Sequence, residues 1–410
     1  MLDIKFIREN LKEVEQNIYR RGLKTPLDHI IKIDDERLKL IREVEQLRHA
    51  KKDAAGKKDQ QKGREIKGKL TKLESSLSAV EKELQEYLEQ VPNMMSPSVP
   101  QGKSEADNVE VRRWGKLPRF GFSPVDHLQI GKNLQIIDQE MAAKTSGHGF
   151  YFLVGDGALL ELALINWVMK FLVKKGYKPV ITPELVRSRF VEGTGYLPRR
   201  EELDIYKIET EDLYLIATAE IPLAAMHADS ILRESALPIN YAGFSSCFRK
   251  EAGSYGKYTH GIFRDHQFDK VEIFKFVKPA DSEAAFEEII ALEEQICQSL
   301  EIPYRVVNNC AGEMSAPAYL KYDLEYWDPV NSQYRELTST SNTTDYQARR
   351  LNIKYRDKAG TKFVHTLNGT AIAVSRTIIA IIENHQQKDG SVKVPKVLHE
   401  YLEKDTLQRP

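Results

Sequence analysis

The stretch "FRKEAGSYGKYTHGIFRDHQFDKVE", residues 248–272, sets charges of both signs among aromatics and around three glycines. An ordinary core strand carries few such groups, because burying unpaired charge costs several kcal/mol. The stretch divides into two antiparallel strands and a glycine-rich loop: "FSSCFRKE" runs in, "AGSYGKYTHG" turns and "IFRDHQFDKVE" runs back. Arg249 falls where the first strand ends, and an arginine there can bind a phosphate or a carboxylate through two parallel hydrogen bonds. Side chains alternate along a strand, so Phe268, Lys270 and Glu272 share one face of the return strand. An aromatic, a cation and a carboxylate on one surface can stack a base, contact a phosphate and hold an ammonium or hydroxyl group. A hairpin laced by cross-strand ion pairs is the alternative for the same residues. His260 and His266 are expected to orient the loop or contact substrate rather than bind metal, since no second histidine has ligand spacing. Cys247 reads as a small buried residue, with a reactive thiol as the alternative.

Around this hairpin the sequence reads as a mixed body. "GALLELALINWVMKFLVKKGY" is a long amphipathic helix, followed by the extended, proline-punctuated "KPVITPELV". Strand-like runs follow at "LYLIA", "INYAGFSSCF", "FDKVEIFKFV", "EYWDPV" and "QYRELTSTS", with the helix "DSEAAFEEIIALEEQICQSLE" among them. Without regular βαβ alternation, an antiparallel sheet flanked by helices is expected rather than a doubly wound fold. Neither GxxxxGK[ST] nor a GxGxxG between strand and helix is present, so side chains would have to hold any nucleotide phosphates.

Toward the N-terminus the composition changes. Residues 34–91 contain no proline and are rich in Lys, Glu, Leu, Gln and Ala. Apolar residues at Ile66, Leu70, Leu73, Leu77, Val80, Leu84 and Leu88 follow steps of four and three, a coiled-coil seam, with a weaker partner seam at Leu40, Val44 and Leu47. The polar, glycine-containing stretch 56–63 between them predicts one antiparallel helical hairpin that projects from the body. Its tip is basic: residues 48–72 hold ten Lys or Arg against three acids. A solvated coiled-coil face would account for this, but the asymmetry favours a phosphate-contacting surface, with Arg48, Lys51, Lys52, Lys57, Lys58, Lys62 and Arg64 as candidate nucleic-acid ligands. Pro92, Pro97, Pro100 and Gly102 end the return helix and open a linker.

Composition sets the limits. The 410 residues are 41% hydrophobic, enough for two or three domains with a real core, and 60 basic residues balance 60 acidic ones. Cys247, Cys297 and Cys310 show no metal or disulfide spacing, which suits a reduced, cytoplasmic protein. No apolar leader is visible, and "LLELALINWVMKFLV" is too short and too interrupted to span a bilayer, so no membrane anchor is expected.

These residues resemble seryl-tRNA synthetase of bacterial type, a class II aminoacyl-tRNA synthetase. The opening stretch is similar to the family's motif 2, "LNGTAIAVSRTIIAIIEN" to motif 3, and "GFYFLVGDGALLELALINWVMKFLVKKGYKPVITPELV" to the dimer-forming motif 1. "EGTGYLPRREELDIYKI", "ATAEIPL" and "ELTSTSNTTDYQARRLNIKYR" fit the intervening blocks, and the helical hairpin matches the family's tRNA-binding arm.

The resemblance covers essentially the whole chain and implies an α+β fold: an N-terminal tRNA-binding domain over 1–100 with its coiled-coil arm at about 34–91, a linker over 101–125, and a class II catalytic domain over 126–410. It implies a homodimer that activates L-serine with ATP and Mg²⁺, then transfers serine to tRNA(Ser), with tRNA(Sec) as a second candidate. Arg249, Glu336 and Arg376 take the catalytic positions; Lys250, Glu251, Phe268, Leu337, Thr338 and Ser339 complete the ATP site. Glu336 and Ser339 match the Mg²⁺ positions. Thr218, Ala219, Glu220, Glu272 and Thr370, with Arg249, match the serine site. Hydrogen-bonding groups are what a serine pocket needs, because an apolar pocket discriminates weakly against alanine.

The chain departs from the family pattern at "TSTSN", residues 338–342, where "SSCSN" is expected, and at Thr370 and Ala371, where a Ser-Gly pair is expected. Threonine keeps the hydroxyl and adds a methyl group, which bears on pocket size more than on catalysis. Two rivals fit fewer of the residues. A relative that loads amino acids onto a carrier protein would lack the basic arm, and a decayed scaffold would have lost the charged set.

Overall fold

A computed structural model describes residues 1–57, 59–196, 205–251 and 261–409. The chain divides into two compact units, Met1–Met94 and Met95–Pro410.

In the first unit, the short helices α1 (Ile4–Glu9) and α2 (Leu11–Arg20) precede the long helices α3 (Leu27–Gly56) and α4 (Gln60–Leu88). Asp59 caps α4 by accepting from the Lys62 amide, so the reversal is tighter than the expected 56–63. The Arg48–Glu74 ion pair at 2.8 Å and the His29–Glu83 contact at 3.7 Å join residues that run in opposite sequence directions, as antiparallel packing requires. The expected seam is buried at Val44, Ile66, Leu70, Leu84 and Leu88 and partly buried at Leu40, Leu47, Leu73, Leu77 and Val80. The hairpin is anchored at its root, where Ile30, Ile33, Leu84 and Leu88 pack with Ile7, Val14 and Ile18.

The second unit is built on an eight-stranded sheet. In chain order its elements are β1 (Val109–Trp114), α5 (Asp156–Lys174), β2 (Lys178–Ile181), α6 (Glu220–Ala225), β3 (Ile239–Phe248), β4 (Gln267–Val277), α7 (Ser282–Ser299), β5 (Tyr304–Asn308), β6 (Leu320–Asp328), β7 (Gln333–Asn342), β8 (His365–Ala373) and α8 (Val374–Asn384). The strand order is β1-β5-β6-β7-β8-β4-β3-β2, antiparallel at every pair except β2–β3. Helices α5, α7 and α8 share one apolar core with the sheet, through Leu160, Leu164, Phe286, Ile289, Ile378 and Ile382 among others.

Two expectations are corrected. The segment 101–125, expected as a linker, contains β1, which pairs with β5 at the sheet edge while Trp114 stacks on Tyr304 at 5.8 Å. Val109, Val111 and Trp114 remain 40–51% exposed, because the short apolar–polar alternation of this edge strand turns its valines to solvent rather than to the core. The return strand of the hairpin starts at Gln267 rather than Ile262: residues 261–266 are turns with Ile262 and Phe263 buried, and Gly261 takes φ +80°, a value that favours glycine. The expected glycine-rich turn, including His260, lies outside the described residues apart from Gly261, as does Lys58.

Candidate active site

Strands β4, β7 and β8 and the start of α8 surround a cavity of about 550 Å³, within the usual range for small-molecule sites. Arg249, directly after β3, holds its guanidinium 5.2 Å from the Phe268 ring centre, so an aromatic face and a cation lie side by side. The Arg249 backbone is clamped to His266, whose Nδ1 lies 3.0 Å from the Arg249 carbonyl oxygen while the Arg249 amide donates to the His266 carbonyl at 3.0 Å. The residue after β3 is therefore tied to the residue before β4.

Across the cavity, Arg376 Nη1 lies 3.1 Å from Glu336 Oε1, with its guanidinium 4.6 Å from the Phe263 ring centre. Burial alone would raise the Glu336 carboxyl, but Arg376, Lys321 and Arg249 together hold it below the usual carboxylate value. Its side chain stays 46% exposed, so an ionised carboxylate faces the cavity. Ser339 lines the same wall, opposite Asp323 in the β6–β7 ladder. Glu251 also lines the cavity and is paired with Arg264.

The polar floor is closely tied. Lys270 Nζ lies 2.5 Å from Glu272 Oε2 and donates to Thr218 Oγ1 at 2.6 Å. Asn368 Nδ2 donates to the other Glu272 oxygen at 3.2 Å, and the Thr370 hydroxyl lies 3.5 Å from Oε2. Glu220 accepts from the Tyr196 hydroxyl and from Gln347 Nε2, both at 2.7 Å. Burial first, then the charge of Glu272, pushes the Glu220 carboxyl up to about 7.

Most of the expected residues meet here: Glu220, Arg249, Glu251, Phe268, Glu336, Leu337, Thr338, Ser339, Thr370 and Arg376 line one cavity. Others stand apart from it. Thr218 and Glu272 are fully buried beneath Lys270. Ala219 packs in an apolar cluster with Leu223 and Phe274, and Lys250 Nζ lies 5.8 Å from the Tyr206 ring centre. Thr338 and Thr340 turn their hydroxyls to Glu293 on α7, at 2.9 and 2.5 Å, and Ala371 is buried in the main core. Of the departures from the family pattern, Thr340 and Ala371 thus lie behind the cavity, whereas Thr338 and Thr370 line it. Cys247, Cys297 and Cys310 are free and buried, and burial raises the Cys247 thiol. Sequence reasoning missed Tyr196, Lys321, Gln347 and Asn368. Gln347 and Tyr196 gain their meaning only from Glu220, which is distant from Gln347 in sequence.

In the first unit, Arg48, Lys51, Lys52, Lys57, Lys62 and Arg64 are all exposed on the hairpin. Among the described residues no helix is long and apolar enough to cross a membrane, and no cluster of three or more His, Cys, Asp or Glu could hold a metal ion.

The antiparallel sheet with Arg249, Glu336 and Arg376 around one cavity is that of a class II tRNA synthetase: the family model described as "tRNA synthetase class II core domain (G, H, P, S and T)" matches residues 205–385. The family model "Seryl-tRNA synthetase N-terminal domain" matches residues 1–95. The serine–tRNA ligase of Rubrobacter xylanophilus is 47% identical over 419 residues, covering 99% of each chain. The seryl-tRNA synthetase of Pyrococcus horikoshii, solved in complex with ATP, superposes with a TM-score of 0.94 at 43% identity over 100% of both chains. The cytoplasmic serine–tRNA ligase of Naegleria fowleri, solved with AMP, gives 0.90 at 37% identity over 100% of this chain and 99% of that one. The chain belongs to the seryl-tRNA synthetase family.

Proposed function

We propose that this chain joins L-serine to ATP as seryl-adenylate with release of pyrophosphate, and then transfers serine to the 3′ end of tRNA(Ser). The observation that carries this reading is the convergence of Arg249, Phe268, Glu336 and Arg376 on one cavity closed by the Glu272–Lys270 floor. The serine carboxylate attacks the α-phosphorus and the bond to the pyrophosphate oxygen breaks; a ribose hydroxyl of the tRNA then attacks the acyl carbon, the acyl–phosphate bond breaks, and AMP leaves with the hydroxyl proton given up to solvent. Such chemistry needs alignment and charge stabilisation rather than a protein nucleophile. Arg249 holds the serine carboxylate and α-phosphate together, Phe268 stacks on the base, Glu251 lies at the base end, and Arg376 faces the terminal phosphate. Glu220 and Thr370, backed by Glu272 and Thr218, receive the ammonium and hydroxyl of serine.

Glu336 and Ser339 offer oxygen donors of the kind Mg²⁺ takes, and the nearby cations keep Glu336 ionised, so the residues fit the ion. When bound there it would neutralise phosphate charge. The exposed lysines and arginines of the hairpin suit a tRNA backbone. Leu159, Leu162 and Ile181 stand 48, 63 and 80% exposed on α5 and β2, which supports a homodimer through this face, testable by light scattering. Three buried free thiols suit the cytoplasm.

Amino-acid-dependent ATP–pyrophosphate exchange tests the first step, using serine, threonine, alanine, glycine and cysteine without tRNA. Exchange with serine is expected. A preference for another amino acid would reassign the pocket, and no exchange by a folded protein would sink the reading. Transfer assays with tRNA(Ser) and tRNA(Sec) then settle whether both are acceptors.

A further inference from the structure

Asp265 lies in the turn that leads into β4 and lines the cavity beside Glu251, Phe268 and Arg376. It is 3% exposed, and neither of its carboxyl oxygens has a hydrogen-bond partner among the described residues. Its charged and titratable neighbours are committed elsewhere: Glu251 to Arg264, Arg376 to Glu336, and Tyr151 to Ser375. A buried carboxyl without partners is costly, and an apolar side chain at this position would avoid that cost. Retaining it makes physical sense if something that enters the cavity completes its hydrogen bonds.

Resting on the reading of this cavity as the ATP site, we infer that Asp265 is a specificity-determining residue that reads the purine base, accepting a hydrogen bond from an amino group at its 6-position. Burial first, then the charge of Glu251, pushes the Asp265 carboxyl up to about 8, against the pull of Arg376. At neutral pH it therefore carries a proton, and a neutral carboxyl presents an acceptor and a donor side by side. Adenine offers the complement, an amine next to a ring nitrogen, which is the pattern that Asn and Gln amides read in nucleic acids. Either oxygen of a neutral carboxyl can carry the proton, so the contrast it creates is with a purine that has no substituent at the 6-position.

Calorimetric titration of the full chain with ATP and purine riboside 5′-triphosphate, which lacks the 6-amino group, tests this. The wild type is expected to bind ATP about tenfold more tightly than purine riboside triphosphate, the worth of roughly one buried hydrogen bond. Asp265→Val should bring that ratio near one without weakening purine riboside triphosphate, and its thermal midpoint should match or exceed the wild type. Asp265→Asn should keep the ratio and remove the fall in ATP affinity expected of the wild type above pH 8. A ratio unchanged by Asp265→Val, or equal weakening of both nucleotides, overturns the inference alone. If the valine variant fails to fold, a wild-type ratio near one still overturns it. A wild type that binds no ATP overturns the nucleotide reading as well.

Discussion

Glu336 and Ser339 stand three residues apart on β7 yet both line the cavity, because a bulge leaves Leu337 without a partner between the pairs Glu325–Glu336 and Leu324–Thr338. In an unbroken strand, residues three apart face opposite sides, and a bulge re-phases that alternation. β8 repeats the device: Thr370 pairs with Glu272 and Ile372 with Val271, so Ala371 is the extra residue and Thr370 and Ala373 both reach the cavity. Two adjacent strands thus aim hydroxyl and carboxylate groups at one volume, while Ala371 stays in the core and Leu337 joins the core to the cavity wall.

Arg376→Ala removes the ion-pair partner of Glu336 and a cation from the cavity. Serine-dependent pyrophosphate exchange should fall about 10²–10³-fold in kcat, the usual loss for one preorganised charge-stabilising group. A loss of less than tenfold would take Arg376 out of that set.

Lys270→Met strands Glu272, which is fully buried. Breaking a buried pair on one side costs about 3–5 kcal/mol, whereas replacing both members can be neutral. Urea unfolding should show that loss for the single variant and recovery of more than half of it in Lys270→Met with Glu272→Gln. Equal stability of wild type and single variant would mean that water reaches the pair.

Glu220 gives stability a specific pH dependence. Its folded value of about 7 lies above the ordinary 4.5, so the folded chain keeps this proton longer than the unfolded chain does. The contribution is full below pH 4.5 and is lost as pH rises to about 7, on the order of 3 kcal/mol for one such group. The stability of Glu220→Gln, measured by denaturant unfolding, should therefore fall off less steeply across pH 4.5–7 than that of the wild type. Parallel curves would show that Glu220 ionises normally.

Reversing charge at Lys52, Lys62 and Arg64 should leave pyrophosphate exchange unchanged and raise the KM for tRNA tenfold or more. The slope of log affinity against log salt should shrink by roughly one per lost phosphate contact. An unchanged KM would place the RNA contact on other residues.

Much of this was legible in the sequence because its signals are local. The 3.5-residue spacing of Ile66 to Leu88 specifies a paired helix wherever that helix sits, and the run 239–248 was bounded correctly as a strand by its composition alone. β1 was not legible, since an edge strand with exposed Val109 and Val111 differs little from a linker. Nor was the Lys270–Glu272–Thr218 floor, whose members are matched by burial and distance rather than by sequence spacing.

By itself, then, the sequence determined the elements, the helical hairpin with its basic tip, and the identity of the charged residues that converge. Tertiary structure decided which way those residues face. The two bulges shift side-chain phase by one residue, and the surroundings separate Glu336, held ionised by Arg376, Lys321 and Arg249, from Glu220 and Asp265, whose carboxyls are raised by burial and by a neighbouring carboxylate despite Lys270 and Arg376. Both depend on what lies across the sheet, and the sum of those fields and contacts exists only once the chain has folded.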